Sequence, residues 1–428
     1  MSIASFMYTG ISGLNSHSQA MSVISDNIAN VNTVGFKSSR ANFSDVLGGV
    51  IGGDRTGAGS MINDVQNIFN QGSLLGTGKA TDLAIRGDGF FVVRDPAGAN
   101  APLYTRAGQF EIDSEGFMVD LNGNRVQGYG TDSSGEISNA LGNLFVNTAA
   151  LAPTPSSSIE IDATLDADTE VSAVPFDIDD PGATSDFMTA VTVYDSLGND
   201  HQLELYFKKT QTAPTPQWEV HVATAATDVT PPGAGERVEL GVGTLDFNTD
   251  GSLAASSLAN VNVAWAGADA ATIDLNFGSG TGAGGTGVDG ITTFAGESAA
   301  SFVTQDGNGS GELGGFSITG DGMLTGMYTN GETRVLGQIA VARFVATGAL
   351  ERVGGGMFTA TQESGDAIVG RPGSGGNGEI LAGSLEASNV DLAAEFVSMI
   401  TVQRGFQGNS RTITTADEML NDVVNLKR

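Results

Sequence analysis

Ile3-Ala-Ser-Phe-Met-Tyr-Thr-Gly-Ile-Ser-Gly-Leu-Asn-Ser-His-Ser-Gln-Ala-Met-Ser-Val-Ile-Ser-Asp-Asn-Ile28 carries a seven-residue rhythm. Met7, Leu14, Met21 and Ile28 share one heptad position, and Ile3, Gly10, His17, Ile24 and Val31 fall three or four residues away. This is the seam of a coiled coil, interrupted by a glycine and a histidine. The other end of the chain repeats it. Leu392, Met399, Phe406, Ile413 and Leu420 lie seven apart without a break, with Phe396, Gln403, Ser410, Asp417 and Val424 as the companion row. Both termini therefore read as helices, and the whole middle of the chain is inserted between them.

Neither helix is predicted to be stable alone. Gly10 and Gly13 each cost ~1 kcal/mol relative to alanine, and Asn27, Asn30, Asn32 and Thr33 prefer caps and turns. A C-terminal helix from Asp391 to about Leu426 would span ~54 Å, longer than helices of ordinary globular domains. Two arrangements cover such seams. One is a self-contained two-helix hairpin, which leaves the outer faces bare. The other packs the helices against copies of themselves.

Composition narrows the function. The 428 residues carry a net charge of −30, and between Val126 and Thr333 the only basic residues are Lys208, Lys209 and Arg237. Such a surface repels polyanions, so nucleic acid is excluded as a partner. There is no cysteine, which removes disulfides, thiolate metal sites and cysteine nucleophiles. No apolar run is long enough to span a bilayer, so membrane insertion is not expected. The N-terminus lacks the charged, apolar and small-residue regions of a cleaved signal peptide.

From Asp82 the period changes to that of strands. Leu83–Ile85, Phe90–Val93, Phe110–Ile112 and Phe117–Val119 are short β-rich runs, separated by Gly87-Asp-Gly89, Ser114-Glu-Gly116 and Asn122-Gly123. The same grammar returns at Phe316–Leu324 and Gln338–Phe344. Between them lie Val191–Tyr194, Gln202–Phe207, Trp218–Val222 and Ile273–Phe277, which alternate as half-buried strands. The predicted fold is multidomain α+β. Long coiled-coil-like terminal helices (1–34 and 389–428) form one discontinuous domain. A connecting segment (35–75 and 384–388) leads to a split β domain (76–145 and 310–383), which carries an inserted antiparallel β sandwich or barrel (146–309). Within the connector, Phe43, Val46 and Leu47 suggest a short amphipathic piece, followed by glycine-loosened chain.

Several motifs invite a chemical reading and fail on context. Asp246-Phe-Asn-Thr-Asp-Gly251 opens like a calcium loop, but its twelfth position is Ser257, not glutamate. Gly284–Thr292 fits one nonapeptide calcium repeat, an architecture that needs stacked copies. Gly282-Ala-Gly-Gly-Thr-Gly287 satisfies G-x-G-x-x-G but no helix follows. His17, His201 and His221 are the only histidines; the last two can approach across strands, with no third ligand suggested. No catalytic residue, metal site or cofactor is expected, and the chain does not read as an enzyme.

Ser25-Asp-Asn-Ile-Ala-Asn-Val-Asn-Thr-Val-Gly-Phe-Lys37 resembles the N-terminal signature of the bacterial flagellar rod, hook and hook-associated axial protein family. Leu385–Arg404 is similar to that family's C-terminal signature, with Asn389 inside it. Asp82-Leu-Ala-Ile-Arg-Gly-Asp-Gly-Phe-Phe91 and Tyr104-Thr-Arg-Ala-Gly-Gln-Phe110 resemble its shared β domain. The signature residues are Asn27, Asn30, Asn32, Thr33, Gly35, Phe36, Lys37 and Asn389. The long insertion points to the hook-type members, with a distal rod or other axial protein as the alternative within the family.

The resemblance implies a hollow, bendable helical homopolymer that acts as a universal joint, transmitting torque from basal body to filament. The terminal helices would form its inner tube, the split β domain a middle shell and the insertion the outer surface. The seam residues Ile3, Met7, Leu14, Met21, Ile24, Ile28, Val31, Leu392, Phe396, Met399, Phe406, Ile413, Leu420 and Val424 would then be its subunit interface. It further implies rod, hook cap and hook–filament junction proteins as partners. Export would run through the flagellum's own apparatus to an extracellular site, without a cleaved signal peptide. A secreted calcium-binding adhesin or surface-layer protein is the competing class. It accounts for the acidic, glycine-rich middle and leaves the heptads at both ends unexplained.

Overall fold

A computed structural model describes residues 3–51, 54–96, 98, 101–132, 135–233 and 235–425. The side chains of 3–5, 48–51, 54–56 and 423–425 lie outside this description. The chain divides into two compact units, one comprising 1–148, 315–327 and 333–428, the other 149–314 and 328–332.

In the first unit the chain leaves and returns along paired paths. Helix Ile3–Ala29 opens it and helix Leu392–Asn425 closes it. Outgoing strand Leu74–Gly76 pairs antiparallel with returning Ser384–Glu386, and outgoing Leu83–Arg86 with returning Glu379–Ala382. Among the described residues a thirteen-stranded sheet follows, built from both halves of the split segment. Arg125–Thr131, from the first half, pairs with Thr333–Ile339, from the second. Phe69, Phe90, Tyr104, Phe344 and Phe358 meet edge to face in its core, the geometry favoured by the ring quadrupole.

Residues 39–67 differ from the sequence expectation. Instead of a short amphipathic piece and loose chain they form a long antiparallel ribbon, Ser39–Ile51 against Asp54–Asn67, bent by register shifts. One of its glycines, Gly59, serves close approach. Gly59 has φ +117°, and a Cβ there would collide with Ser12 Oγ of the first helix. Ser16 Oγ, one turn on, donates to the Ser60 carbonyl at 2.8 Å.

Within the described residues the second unit holds two five-stranded sheets around one core. Ile159, Ile161, Ala163 and Leu165 point inward from one sheet, and Leu205, Phe207, Trp218 and Val220 from the other. Alternation of period two places them there. The sheets are not uniformly antiparallel as expected. Ser158–Asp166 runs parallel to Ala270–Asn276 and to Thr292–Phe294, and antiparallel to Ala299–Gln305. Alternation reports which face a residue takes, not strand direction. The parallel pairings become possible because the whole opposite sheet serves as the crossover.

One turn recurs in both units. Asp113, Asp120 and Asp195 each accept, through Oδ1, the amides two and four residues on. The residue three on is a glycine with positive φ: Gly116, Gly123 and Gly198. At Asp195 burial pushes the carboxylate up. Hydrogen bonds from the Asn199 side chain and amide, His201 and the Leu197 amide together outweigh it and hold it down at about 2. A depressed carboxylate adds stability above its unfolded pKa of ~3.9, and loses it as pH falls toward the folded value. Both tryptophans, Trp218 and Trp265, report on this unit. In denaturant titrations followed by their fluorescence, Asp195→Asn is expected to be less stable at pH 7 by ~1–3 kcal/mol. The gap to wild type should close between pH 4 and pH 2 (~ values from the same two ionisations). A gap that stays constant over that range would refute the assignment.

Candidate functional site

The two terminal helices pack antiparallel on each other, through a stripe of small and polar residues. Gly10, Gly13, Ser16, Ala20, Ile24 and Asn27 are the buried positions of the first helix. A Cβ on Gly10 would stand 2.9 Å from Ile413, one on Gly13 2.6 Å from the Asn409 amide, and one on Gly405 2.6 Å from the His17 ring. The glycines that weaken each isolated helix thus permit the close approach that pairs them.

Within the chain, the row that meets the first helix differs from the heptad companion row. Val402, Asn409 and Ala416, with Glu395, turn toward the first helix, one residue short of the expected Phe396, Gln403, Ser410, Asp417 and Val424. Phe396 is instead 51% exposed. In the unbroken row Met399, Ile413 and Leu420 are half-buried, while Leu392 and Phe406 are exposed, Phe406 at 43%. On the first helix Met7, Leu14, Met21, Ile28 and Val31 are half-buried, and Ile24 is buried. Ile3 and Val424 lie outside the residues whose side chains are described.

The signature residues build an elbow where the helices join the β structure. The first helix ends as Asn30 Nδ2 folds back on the Asp26 carbonyl and Asn30 Oδ1 accepts from Thr33 Oγ1. Asn32 is exposed beside it. Gly35, at φ +69°, donates its amide to the Glu386 carbonyl at 2.8 Å, and a Cβ there would run into the backbone of Arg106 and Ala107. Phe36 lies beneath the Arg352 guanidinium, 4.7 Å from its ring centre. Two asparagines clip chain segments together. Asn27 bonds both the amide and the carbonyl of Ser39, and reaches Glu395 at 2.9 Å. Asn389 accepts from the Ser38 amide and donates to the Ile68 and Asn70 carbonyls.

At the centre of the elbow is Glu386, fully buried. Its Oε1 receives Lys37 Nζ at 2.6 Å and the Gly72 amide at 2.9 Å; its Oε2 receives Arg106 at 3.2 Å. Lys37 also donates to the Asn70 carbonyl, and Arg106 to those of Ile85 and Gly87. Burial pushes the Lys37 ammonium and the Arg106 guanidinium below their ordinary values, against the opposing pull of Glu386. Sequence reasoning assigned no role to Glu386, Arg106 or Arg352. The first two sit inside quoted blocks, but nothing in a linear chain pairs residues 280 positions apart.

The remaining candidates resolve into structure. Asp246–Gly251 leads into a β-turn in which Asn248 pairs with Ser252. His201 and His221 do not meet. His201 stacks on Trp265 between Asp195 and Asp228, whereas His221 stacks on Phe176 beside Glu239. His17 packs near Phe43 on the ribbon.

Four family descriptions match along the chain. They are the flagella basal body rod protein (7–37), the flagellar hook protein FlgE/F/G D1 domain (84–182), the flagellar basal body protein FlaE D2 domain (161–308), and the flagellar basal body rod FlgEFG protein C-terminal region (381–426). The chain is 34% identical to the flagellar hook protein FlgE of Borreliella burgdorferi, covering 98% of this chain and 99% of that one. It is also 34% identical to the protein of that name from Salmonella typhimurium, covering 97% and 98%. Among solved structures, Helicobacter pylori flagellar hook protein FlgE2 shares the fold with a TM-score of 0.52 at 14% identity, over 73% of this chain and 100% of that one.

Removing Glu386 strands two buried cations. Glu386→Ala is expected to cost ~3–5 kcal/mol in denaturant unfolding of the first unit. The exposed pair Arg86–Glu379 serves as control, since Glu379→Ala should change stability by ~1 kcal/mol or less. Equal effects of the two substitutions would show that the elbow is not held this way.

Proposed function

The chain belongs to the flagellar hook protein family and is a structural subunit of the flagellar hook, and from that premise we propose how it assembles. The hook is a helical polymer that works as a universal joint. We assign its subunit contacts to the terminal helix pair and its inner wall to 1–34 and 389–428. The split β domain forms the middle of the wall and the insertion its outer surface.

One observation carries the assignment. The helix pair spends its small and polar side chains inward, and leaves Phe6, Tyr8, Ile11, Phe396, Val397, Ile400, Phe406 and Met419 exposed. That is the reverse of a solvated amphipathic helix. Exposed large apolar side chains in such number on one helix pair mark an interaction site. Met7, Leu14, Met21, Ile28, Val31, Leu392, Met399, Ile413 and Leu420 flank it and complete the proposed interface, while Ile24 supports it from within. Ile3 and Val424 extend the same rows.

The rod, cap and junction proteins of the same axis are the partners proposed for the ends of the polymer. Matches to rod-type descriptions at both termini support this. We further propose an extracellular location reached through the flagellar export apparatus. Among the described residues no helix is long and apolar enough to cross a membrane. The relatives are named as hook proteins, and catalysis has no part in this reading.

Negative-stain microscopy of concentrated protein should show tubes of uniform diameter; their absence under every assembly condition tried would count against the polymer. Phe406 gives the sharper test. Burying it against neighbours is worth ~1.5–3 kcal/mol, so Phe406→Ala should raise the critical concentration about 10- to 100-fold. The single-chain melting temperature should barely move, because Phe406 is exposed there. A large drop in melting temperature with normal assembly would mean that the helix is covered within its own chain.

A further inference from the structure

Beside the elbow, the β domain of the first unit holds a cavity of about 540 Å³, within the size range of small-ligand sites. Phe69, Phe90 and Phe344 line it, with rings that already meet edge to face. Arg343 and Ile368 are Cα partners on adjacent antiparallel strands, so their side chains share one face of the sheet, and both line the cavity. Arg106 reaches it from the elbow. That side chain is 3% exposed, and its Nε has no acceptor among the described residues.

Arg343 sets the chemistry of an occupant. It is half-buried, yet among the described residues it makes no hydrogen bond and no ion pair. Buried donors without acceptors are exceptions that call for a partner. A guanidinium offers a planar fork that matches a carboxylate through two parallel bonds. Charge narrows the choice. Around the cavity Lys37, Arg106 and Arg343 stand against the carboxylates of Glu386 and Asp88, which leaves one positive charge over. A monoanion balances it. A dianion such as phosphate would bring a second negative charge beside Asp88. The three phenyl rings favour an apolar body behind the charged group.

We propose that this cavity binds an organic monocarboxylate, its charged end paired with Arg343 and its apolar body against Phe69, Phe90 and Phe344. The site lies within one chain and does not depend on the polymer reading above. Its carboxylate can come from a free molecule or from an acidic side chain of a second copy.

The probe is 3-phenylpropionate, with 3-phenylpropanamide as its neutral counterpart. Saturation-transfer NMR on the full chain should show saturable binding of the acid, with a dissociation constant on the order of 0.1–1 mM for so small a ligand. The amide should bind about tenfold or more weakly. Arg343→Gln should weaken the acid by a similar factor and leave the melting temperature unchanged, because Arg343 has no partner in the fold to lose. Ile368→Glu sets a carboxylate of the chain directly across from Arg343 and should abolish binding. Arg404→Gln removes the same charge from the exposed face of the last helix and should leave binding unchanged. Three results would overturn the site: no saturable binding, equal binding of acid and amide, or undiminished binding by Arg343→Gln. Saturating acid added during assembly separates the two sources. A raised critical concentration assigns the site to an acidic side chain of another copy, and unchanged assembly assigns it to a free carboxylate.

Discussion

A carboxylate with no access to water, held between a lysine and an arginine, is the constraint around which the first unit is arranged. Glu386 comes from the returning chain, Lys37 from the turn between the first helix and the ribbon, and Arg106 from the β domain. Three buried charges carry a desolvation cost that their mutual attraction does not automatically offset. Here the surplus positive charge is spread over the carbonyls of Asn70, Ile85 and Gly87. Those carbonyls lie on two further pieces of chain, so satisfying the charges fixes where those pieces run. A greasy elbow of the same volume could slide; this one is pinned by directional bonds from Lys37 and from both terminal nitrogens of Arg106.

The helix pair extends the same economy. An ordinary surface helix buries its large apolar residues and shows its polar ones. This pair buries glycine, serine, alanine and asparagine and shows phenylalanine, valine and isoleucine. Close backbone approach at Gly13 and Gly405 compensates for the lack of large side chains between the helices, because dispersion grows with the number of atoms in contact. The price is an apolar exterior, which is a liability for an isolated chain and a reason for a hook subunit to be surrounded by copies.

How much of this was legible in the sequence depends on which signal each element leaves. Heptads announced both helices, because periodicity survives in one dimension. They did not show the row that meets the first helix within the chain, because it contains Glu395 and Asn409, which a count of apolar residues ignores. The ribbon at 39–67 was hidden by its glycines, which normally signal loops, although one of them, Gly59, lets a strand lie against Ser12. The parallel strands of the second unit were hidden because alternation is the same in either direction. Resemblance marked the blocks holding Glu386 and Arg106, yet only the fold brings their side chains together.

The second unit follows a different logic, and the contrast bears on bending. Its two sheets enclose their own apolar core, so it needs no neighbour to fold. Its few basic side chains are committed internally. Lys208 donates to the Val174 carbonyl, Lys209 to those of Ala167 and Thr169, and Arg237 to Glu204. What remains for other copies is an acidic surface. Like charges repel over roughly a Debye length, about 8 Å at physiological salt, and exposed ion pairs are worth little. Contacts of that kind form and break cheaply. In the assembly proposed above, apolar helices would hold the polymer while acidic units would neither interlock nor adhere, so the spacing of those units could change without breaking the wall, which is the mechanical property a bending joint requires.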